Sequence, residues 1–444
     1  MRASPHPLPS LAAPSGQATA AGVSAVPLWY LYTSVISLAL FCSGLIALAP
    51  DAVGSTLAPH VLALIHVATL GVVTTAIMGA LWQLLPVILV VPTPRTRLSQ
   101  VHYLAWLAGV TTLITGFWRS WWQALAVGGS IVVLGVLVFA AAMLWLIATA
   151  PSRSLSVYYI AAGLLYLLAV VVGGLALVVD EQTGFLGGRT FNVLPAHLML
   201  GFVGWGVQIV FGVSYKLAPM FSLAHVRDER PGWLCFGLLN GGLILLAIGL
   251  LDGLSMPMCL MPFGLILAAI LVFVVGLVRT LHTRLRRTLD PTQWHGLAGL
   301  AFLLAAGLTG ARYATTGSSY WWLAGRAATV LGLMILLGFL AQTIVGYTYK
   351  IVPFLVWNQR FAPLIGKAKV PMMHGLISKR LAWMTLGLYN GGLILLLAAV
   401  LWDQSLISAA SIPLAASTWI FAANLVAVFR PIAKGTSHEQ RHGV

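Results

Sequence analysis

The sequence alternates between long apolar stretches and short polar breaks over most of its length. A helix that crosses a bilayer needs about 20 consecutive apolar residues, and runs of that length recur throughout the chain. The pattern predicts an all-α protein with twelve transmembrane helices, at residues 27–49, 57–90, 101–118, 123–148, 156–179, 191–220, 232–251, 256–279, 294–314, 320–356, 380–402 and 407–429. Residues 1–26 are predicted to form a disordered arm, 27–430 the transmembrane domain and 431–444 a polar tail.

Composition supports this class of protein. The chain has 444 residues, of which 60% are apolar and only 7% are charged. Soluble domains carry about 25% charged residues, so a soluble enzyme is excluded. The net charge of +15 does not indicate nucleic-acid binding, because the basic residues lie in short loops and form no single patch. The expected partner is the lipid bilayer.

The basic residues also predict the orientation of the chain. With twelve spans, 20 of the 24 Lys and Arg residues fall on the side of the two termini, which we call the basic side. The opposite, outer side holds Arg119, Arg189, Arg312 and Arg326. Loops on the cytoplasmic side of membrane proteins carry the excess of Lys and Arg. Both termini are therefore predicted to be cytoplasmic.

A motif occurs three times, at the ends of spans 2, 6 and 10. The three copies read GALWQLLP from Gly79, GVSYKLAP from Gly212 and GYTYKIVP from Gly346, with spacings of 133 and 134 residues. Each copy has another glycine eight residues upstream, at Gly71, Gly204 and Gly338. Self-similarity at a fixed period indicates repeated structural units. The sequence thus predicts three units of four helices.

Three segments carry a resemblance to a known family. HVLALIHVATLG with GALWQLLPV resembles its second helix, LPAHLMLGFVGWGVQIVFGVSYKLAPMF its sixth, and VGYTYKIVPFLVW the end of its tenth. The family is the haem-copper oxidase subunit I family, whose architecture is twelve helices in three four-helix arcs. The chain most resembles the subunit-I-like proteins grouped near the denitrification-linked haem-copper membrane proteins. The resemblance implies a bacterial inner-membrane protein.

The resemblance implies a ligand set that this chain matches only in part. In the family, histidines of helices 2 and 10 clamp a low-spin haem, helix 10 holds a high-spin haem, and helices 6 and 7 hold copper. His66, with His60 as the alternative, matches the helix 2 ligand, and His197 stands at the place of the helix 6 copper ligand. Spans 10 and 7 contain no histidine. A complete dioxygen-reducing centre is therefore not expected.

The residues themselves lead to the same three histidines. His60, His66 and His197 lie inside spans 2 and 6, where ionisable groups are rare and by default functional. Imidazole is the commonest metal ligand, so all three are candidate haem or copper ligands. The alternative is that each bonds a carbonyl or hydroxyl group of a neighbouring helix. His60 and His66 are six residues apart, which places them about 120° apart around a helix and about 9 Å along it. One metal cannot take both.

Other polar residues are weaker candidates. Gln208 and Gln342 each precede their motif glycine by four residues, at the place of Thr75 in the first copy, and could bind a cofactor or another helix. Arg326 is expected to face something negative: a haem propionate or a lipid head group, or, as the alternative, one of the carboxylates of Asp180, Glu181 and Asp403. His102 and His295, at helix starts on the basic side, are expected to be solvated or interfacial.

These observations predict a haem- or copper-binding membrane protein, with haem b or copper as the cofactor. Its role would be electron transfer or the binding of a diatomic gas such as NO or O₂, with electrons from a cytochrome or other redox subunit. The alternatives are a metal- or haem-handling protein or a permease on the same scaffold, and a purely structural subunit.

Overall fold

The structure is a computed structural model that describes residues 25–54, 57–92, 94, 96–151, 153–224, 228–253, 256–285, 288–316 and 326–429. Within these ranges the chain is helical, without strands. The long helices are α1 (Val26–Gly54), α2 (Pro59–Leu89), α3 (Thr96–Arg119), α4 (Trp122–Thr149), α5 (Leu155–Thr183), α6 (190–222), α7 (Arg230–Leu251), α8 (Leu260–His282), α9 (Pro291–Thr316), α10 (327–360), α11 (Lys379–Trp402) and α12 (Ile407–Val426).

These helices confirm an all-α, multi-pass membrane protein. Eleven of the twelve are long and apolar enough to cross a membrane, and α3 is a further helix of 24 residues that packs along α4. The predicted spans agree with the helices to within a few residues at most ends. The start predicted for span 10 lies outside the described residues, as do the predicted tail 431–444 and nearly all of the predicted arm.

Three of the helices contain a π-helical segment of eight residues. The segments are Val67–Thr74 in α2, Leu200–Val207 in α6 and Met334–Ala341 in α10. They begin 133 and 134 residues apart, which is also the spacing of the motif glycines. π-Helices are rare and occur mostly as single turns, often at functional sites. Periodicity of apolar residues did not predict them.

The three π-helical segments contact one another at the centre of the bundle. Trp205 Nε1 of α6 donates a hydrogen bond of 3.2 Å to Thr74 Oγ1 of α2. Gly206 of α6 lies against α10, where an added Cβ atom would stand 2.7 Å from a methyl group of Leu340. The remaining helices surround this centre as neighbours, with α3 along α4, α7 along α8, α11 along α12, and α12 against α1.

The motif glycines allow each central helix to approach the helix before it. A Cβ atom would lie 2.4 Å from Tyr30 Cβ at Gly79, 2.5 Å from Tyr159 Cβ at Gly212, and 2.8 Å from the Thr292 carbonyl oxygen at Gly346. Small residues commonly bring transmembrane helices this close. The motif is therefore a packing device that fixes α1 on α2, α5 on α6 and α9 on α10.

Candidate functional site

His66 of α2 and His197 of α6 stand at similar places in their helices, one and three residues before a π-helical segment. Sequence alone left His60 and His66 both open as ligands from the second helix. Both imidazoles lie toward the outer ends of their helices, before the π-helical segments, and both are half-buried. Each is held by a hydrogen bond to a backbone carbonyl group.

The His66 ring is fixed from two sides. Its Nδ1 lies 2.7 Å from the carbonyl oxygen of Leu62, one turn earlier in α2. The ring stacks on Phe117 of α3, with centroids 4.6 Å apart and planes inclined by 23°. Stacking of this kind holds the plane of the imidazole while the carbonyl bond fixes its rotation.

His197 lies against a glycine pair in α5. Its Nδ1 is 3.0 Å from the carbonyl oxygen of Val170. A Cβ atom added to Gly173 would stand 3.5 Å from Nδ1, and one added to Gly174 would stand 3.2 Å from Cε1. The two glycines thus leave the space that the ring occupies, and larger residues at Gly174 would press on it.

These bonds decide which nitrogen of each imidazole can bind a ligand. A carbonyl oxygen only accepts hydrogen bonds, so Nδ1 carries the proton in both neutral rings. The lone pair is then on Nε2, which makes no hydrogen bond within the part of the chain that the structure describes. An Nδ1–H bond to a carbonyl is the usual arrangement of metal-ligating histidines. Both side chains are therefore presented as Nε2 ligands.

Asp180 positions the connection between α5 and α6, the helix that contains His197. Its carboxylate is buried and accepts bonds from the Leu186 backbone N–H at 2.7 Å and from Thr190 Oγ1 at 2.5 Å. Thr190 is the first residue of α6. The carboxylate therefore fixes the start of α6 to the end of α5, seven residues before the histidine.

His60 stands in the first turn of α2. Because residues 60–66 are regular α-helix, the separation of His60 and His66 remains about 9 Å and about 120°. Among the described residues, no group of three or more His, Cys, Asp and Glu side chains could hold a metal ion. A metal site built from three such ligands is thus not formed in this part of the chain.

The two glutamines bond neighbouring helices. Gln208 Nε2 donates to Asn240 Oδ1 of α7 at 3.3 Å, and Gln342 Nε2 donates to Asn390 Oδ1 of α11 at 2.9 Å. At the corresponding place Thr75 Oγ1 accepts from Trp106 Nε1 of α3 at 2.8 Å. Both glutamines are fully buried, and their Oε1 atoms have no hydrogen-bond partner within the described residues. Hydrogen bonding between helices, the alternative to cofactor binding, therefore accounts for the NH₂ group of each side-chain amide but not for its oxygen.

Arg326 has a partner that its sequence context did not indicate. Its Nη1 donates to the carbonyl oxygens of Val400 at 3.1 Å and Leu401 at 2.8 Å, in the last turn of α11. With its amide oriented to match, Gln404 accepts from Nε and Nη2 at 3.0 and 3.2 Å. Cations are favourable at helix C-termini, where carbonyl groups lack partners. The negative group facing Arg326 is this helix end.

The expectation that His102 is solvated is wrong. His102 is only 3% exposed. Its Nε2 donates to the Gly135 carbonyl oxygen at 2.9 Å, so its Nδ1 accepts from the Tyr30 hydroxyl. Trp82 and Trp106 lie around the ring. The residue looked interfacial because it lies near a helix start, but α1, α2 and α4 cover it.

The same expectation is wrong for His295, which is 0% exposed. Its ring faces Tyr349 of α10 and Tyr389 of α11, with centroids 6.5 and 6.2 Å away. Neither ring nitrogen has a hydrogen-bond partner among the described residues. It faces the motif glycine Gly346, as Tyr30 faces Gly79. Loop lengths differ between the copies, so no equal spacing in the sequence marks this position.

No protein-family model matches the sequence, and no curated protein is significantly similar to it. The function is therefore argued from the geometry of the site.

Proposed function

We propose that this membrane protein binds a b-type haem through His66 and His197 and serves as an electron carrier. The observation that carries the proposal is one half-buried imidazole on each of α2 and α6, with its Nδ1 bonded to a carbonyl oxygen. Two neutral imidazoles from separate helices could together hold a haem iron. The porphyrin supplies the other four ligands.

The donor set favours haem over a bare metal ion. Protein zinc sites take three or four side-chain ligands, whereas the described residues contain no group of three or more His, Cys, Asp and Glu side chains that could hold a metal ion. The sequence has no CxxCH motif for covalent attachment, which makes the haem non-covalent. Bound there, it would supply one-electron redox chemistry, while Phe117 of α3 and the Val170 carbonyl group of α5 hold the imidazoles in place.

The scaffold proposed for this site is three four-helix units. The equal spacing of the π-helical segments and of the motif glycines supports it. The three upstream glycines also support it, because each lies against the preceding helix. An added Cβ atom would lie 3.0 Å from Ser37 at Gly71, 2.7 Å from Tyr166 at Gly204 and 2.6 Å from Phe302 at Gly338. This layout is that of the haem-copper oxidase subunit I family.

The experiment that tests the proposal is a reduced-minus-oxidised spectrum of the detergent-purified full chain, with and without carbon monoxide. We expect a b-type spectrum that carbon monoxide leaves unchanged, because both axial positions are filled. A spectrum that shifts with the gas would overturn the electron-carrier role and favour gas binding. The absence of a Soret band, or stoichiometric copper without haem, would overturn the haem assignment.

Substitution of Gly174 is expected to weaken haem binding without touching a ligand. A valine there would press on the His197 ring, since even a Cβ atom would lie 3.2 Å from Cε1. Groups that orient metal ligands typically contribute about 10–100-fold to affinity, so Gly174→Val should lower haem affinity by about tenfold. The measurement is haem per protein in a titration with haem. Gly264→Val is the control, because nothing lies within 4 Å of an added Cβ atom there. Equal haem affinity in the two variants would contradict the placement of His197.

A further inference from the structure

A second site lies on the basic side, between α6, α8, α9 and α10. It is a groove lined by Ser214, Leu277, Gln293, Gly296, Thr343 and Tyr347, which we call the lateral groove. Thr343 of α10 is buried, whereas Tyr347, Leu277 and Gly296 are partly exposed. The groove therefore opens sideways between α8 and α9, where a membrane protein meets lipid.

The enclosed part of the groove is small. Its cavity volume is about 50 Å³, against about 150 Å³ for a cavity that admits benzene. Most of its lining is apolar. A hydrocarbon chain from the bilayer would therefore lie along the groove, against its apolar walls, and would not be enclosed by it.

Polar groups with unused bonding capacity stand along the groove. Thr343 is only 3% exposed, and its Oγ1 has no hydrogen-bond partner among the described residues. Gln293 uses its Oε1 to accept from the Asp290 backbone N–H at 3.0 Å, which leaves its buried Nε2 without a partner in the same part of the chain. Buried polar groups normally find partners. Both can donate to an acceptor such as an ester carbonyl.

A cation, Arg284, stands near the end of the groove. Arg284 follows α8 and donates from Nη1 to the carbonyl oxygen of Leu281, a residue that lines the groove. Its Nε is buried without a partner within the described residues. Asp290, the acidic residue near the start of α9, is paired with Lys350. The guanidinium group thus remains available for an anion, and planar guanidinium groups bind phosphate well.

We propose that the lateral groove binds one anionic glycerophospholipid, with its phosphate on Arg284 and an acyl chain between α8 and α9. The carbonyl groups of the lipid would bond Gln293 and Thr343. Basic pockets between transmembrane helices on the cytoplasmic side are suited to anionic lipid head groups. The site is independent of the haem proposal, because the two share no residue.

The test is native mass spectrometry of the full chain in detergent, titrated with phosphatidylglycerol and with phosphatidylcholine of the same acyl chains. We expect phosphatidylglycerol to bind the wild type more tightly, and Arg284→Gln to weaken that binding about fivefold, the contribution of one basic residue near a membrane surface. Arg279→Gln is the matched control, because Arg279 is an exposed cation of α8. Equal losses in both variants, or equal binding of the two lipids, would overturn the site.

A second pair of variants tests the groove without changing charge. An added Cβ atom meets nothing within 4 Å at Gly296 or at Gly241 of α7, and only Gly296 lines the groove. Gly296→Leu should reduce lipid binding severalfold, while Gly241→Leu should leave it unchanged. Equal binding by these two variants would overturn the acyl-chain position. Inorganic phosphate alone should not displace the lipid, and displacement would assign Arg284 to a free anion instead.

Discussion

Replacing both His66 and His197 with alanine is expected to remove the haem from the purified protein. The proposed site gives the iron no other protein ligand, since the described residues contain no cluster of further candidate ligands. Loss of a residue that merely orients a ligand costs about 10–100-fold in affinity. Loss of both ligands should therefore lower haem per protein by at least about tenfold. The measurement is a pyridine haemochrome assay on equal amounts of folded protein.

The single variants separate this expectation from misfolding. His66→Ala or His197→Ala alone leaves one axial ligand, so the remaining haem should become five-coordinate and its spectrum should then shift with carbon monoxide. Neither imidazole is bonded to another side chain, so the cost to folding is small. His374→Ala is the control, because His374 lies exposed in the loop before α11. Equal loss of haem in this control would contradict the assignment.

The helices of this protein could be predicted because the bilayer sets their length. Apolar runs of about 20 residues mark each crossing, and the polar breaks mark the loops. The motif glycines were found because they must be small for α1, α5 and α9 to approach. These features are local in the sequence, so no knowledge of tertiary packing is needed to find them.

The site could be predicted only in part. His60, His66 and His197 were identified because imidazoles inside spans are rare, but the distance between His66 and His197 depends on how α2 and α6 cross. His102 and His295 were misjudged for the same reason. Their burial is decided by neighbouring helices that pack over a helix start. The position of a residue near a loop in the sequence does not show whether neighbouring helices bury it.

Arg326 shows the same limit of sequence-based prediction for a charged residue. Its place outside the basic loops predicted a propionate, a lipid head group or a carboxylate as partner, whereas its hydrogen bonds go to the carbonyl end of α11, 74 and 75 residues further along the chain. A helix dipole leaves no mark in the amino-acid sequence at the position it acts on. Partners of this kind follow only from the packing of the helices.

Alanine at the motif glycines is expected to destabilise the fold strongly. At Gly79 an added Cβ atom would lie 2.4 Å from Tyr30 Cβ, and at Gly212 it would lie 2.5 Å from Tyr159 Cβ. Cβ atoms are attached directly to the backbone, so neither side chain can rotate away and the helices must separate. Overpacking of this kind costs about 1–3 kcal/mol or more per site. Thermal unfolding in detergent should show a clear fall in Tm for either variant.

Two other glycines provide the matched control. Gly237 and Gly241 lie in the middle of α7, where an added Cβ atom meets nothing within 4 Å. Alanine there should leave Tm unchanged or raise it, because alanine is favoured over glycine within helices by about 1 kcal/mol. A glycine-to-alanine change is thus expected to lower Tm at Gly79 and Gly212 but not at Gly237 and Gly241. The difference depends only on whether a neighbouring helix lies against the glycine. Equal shifts in Tm at both pairs would mean that α1 and α5 do not approach their partners as closely as the structure places them.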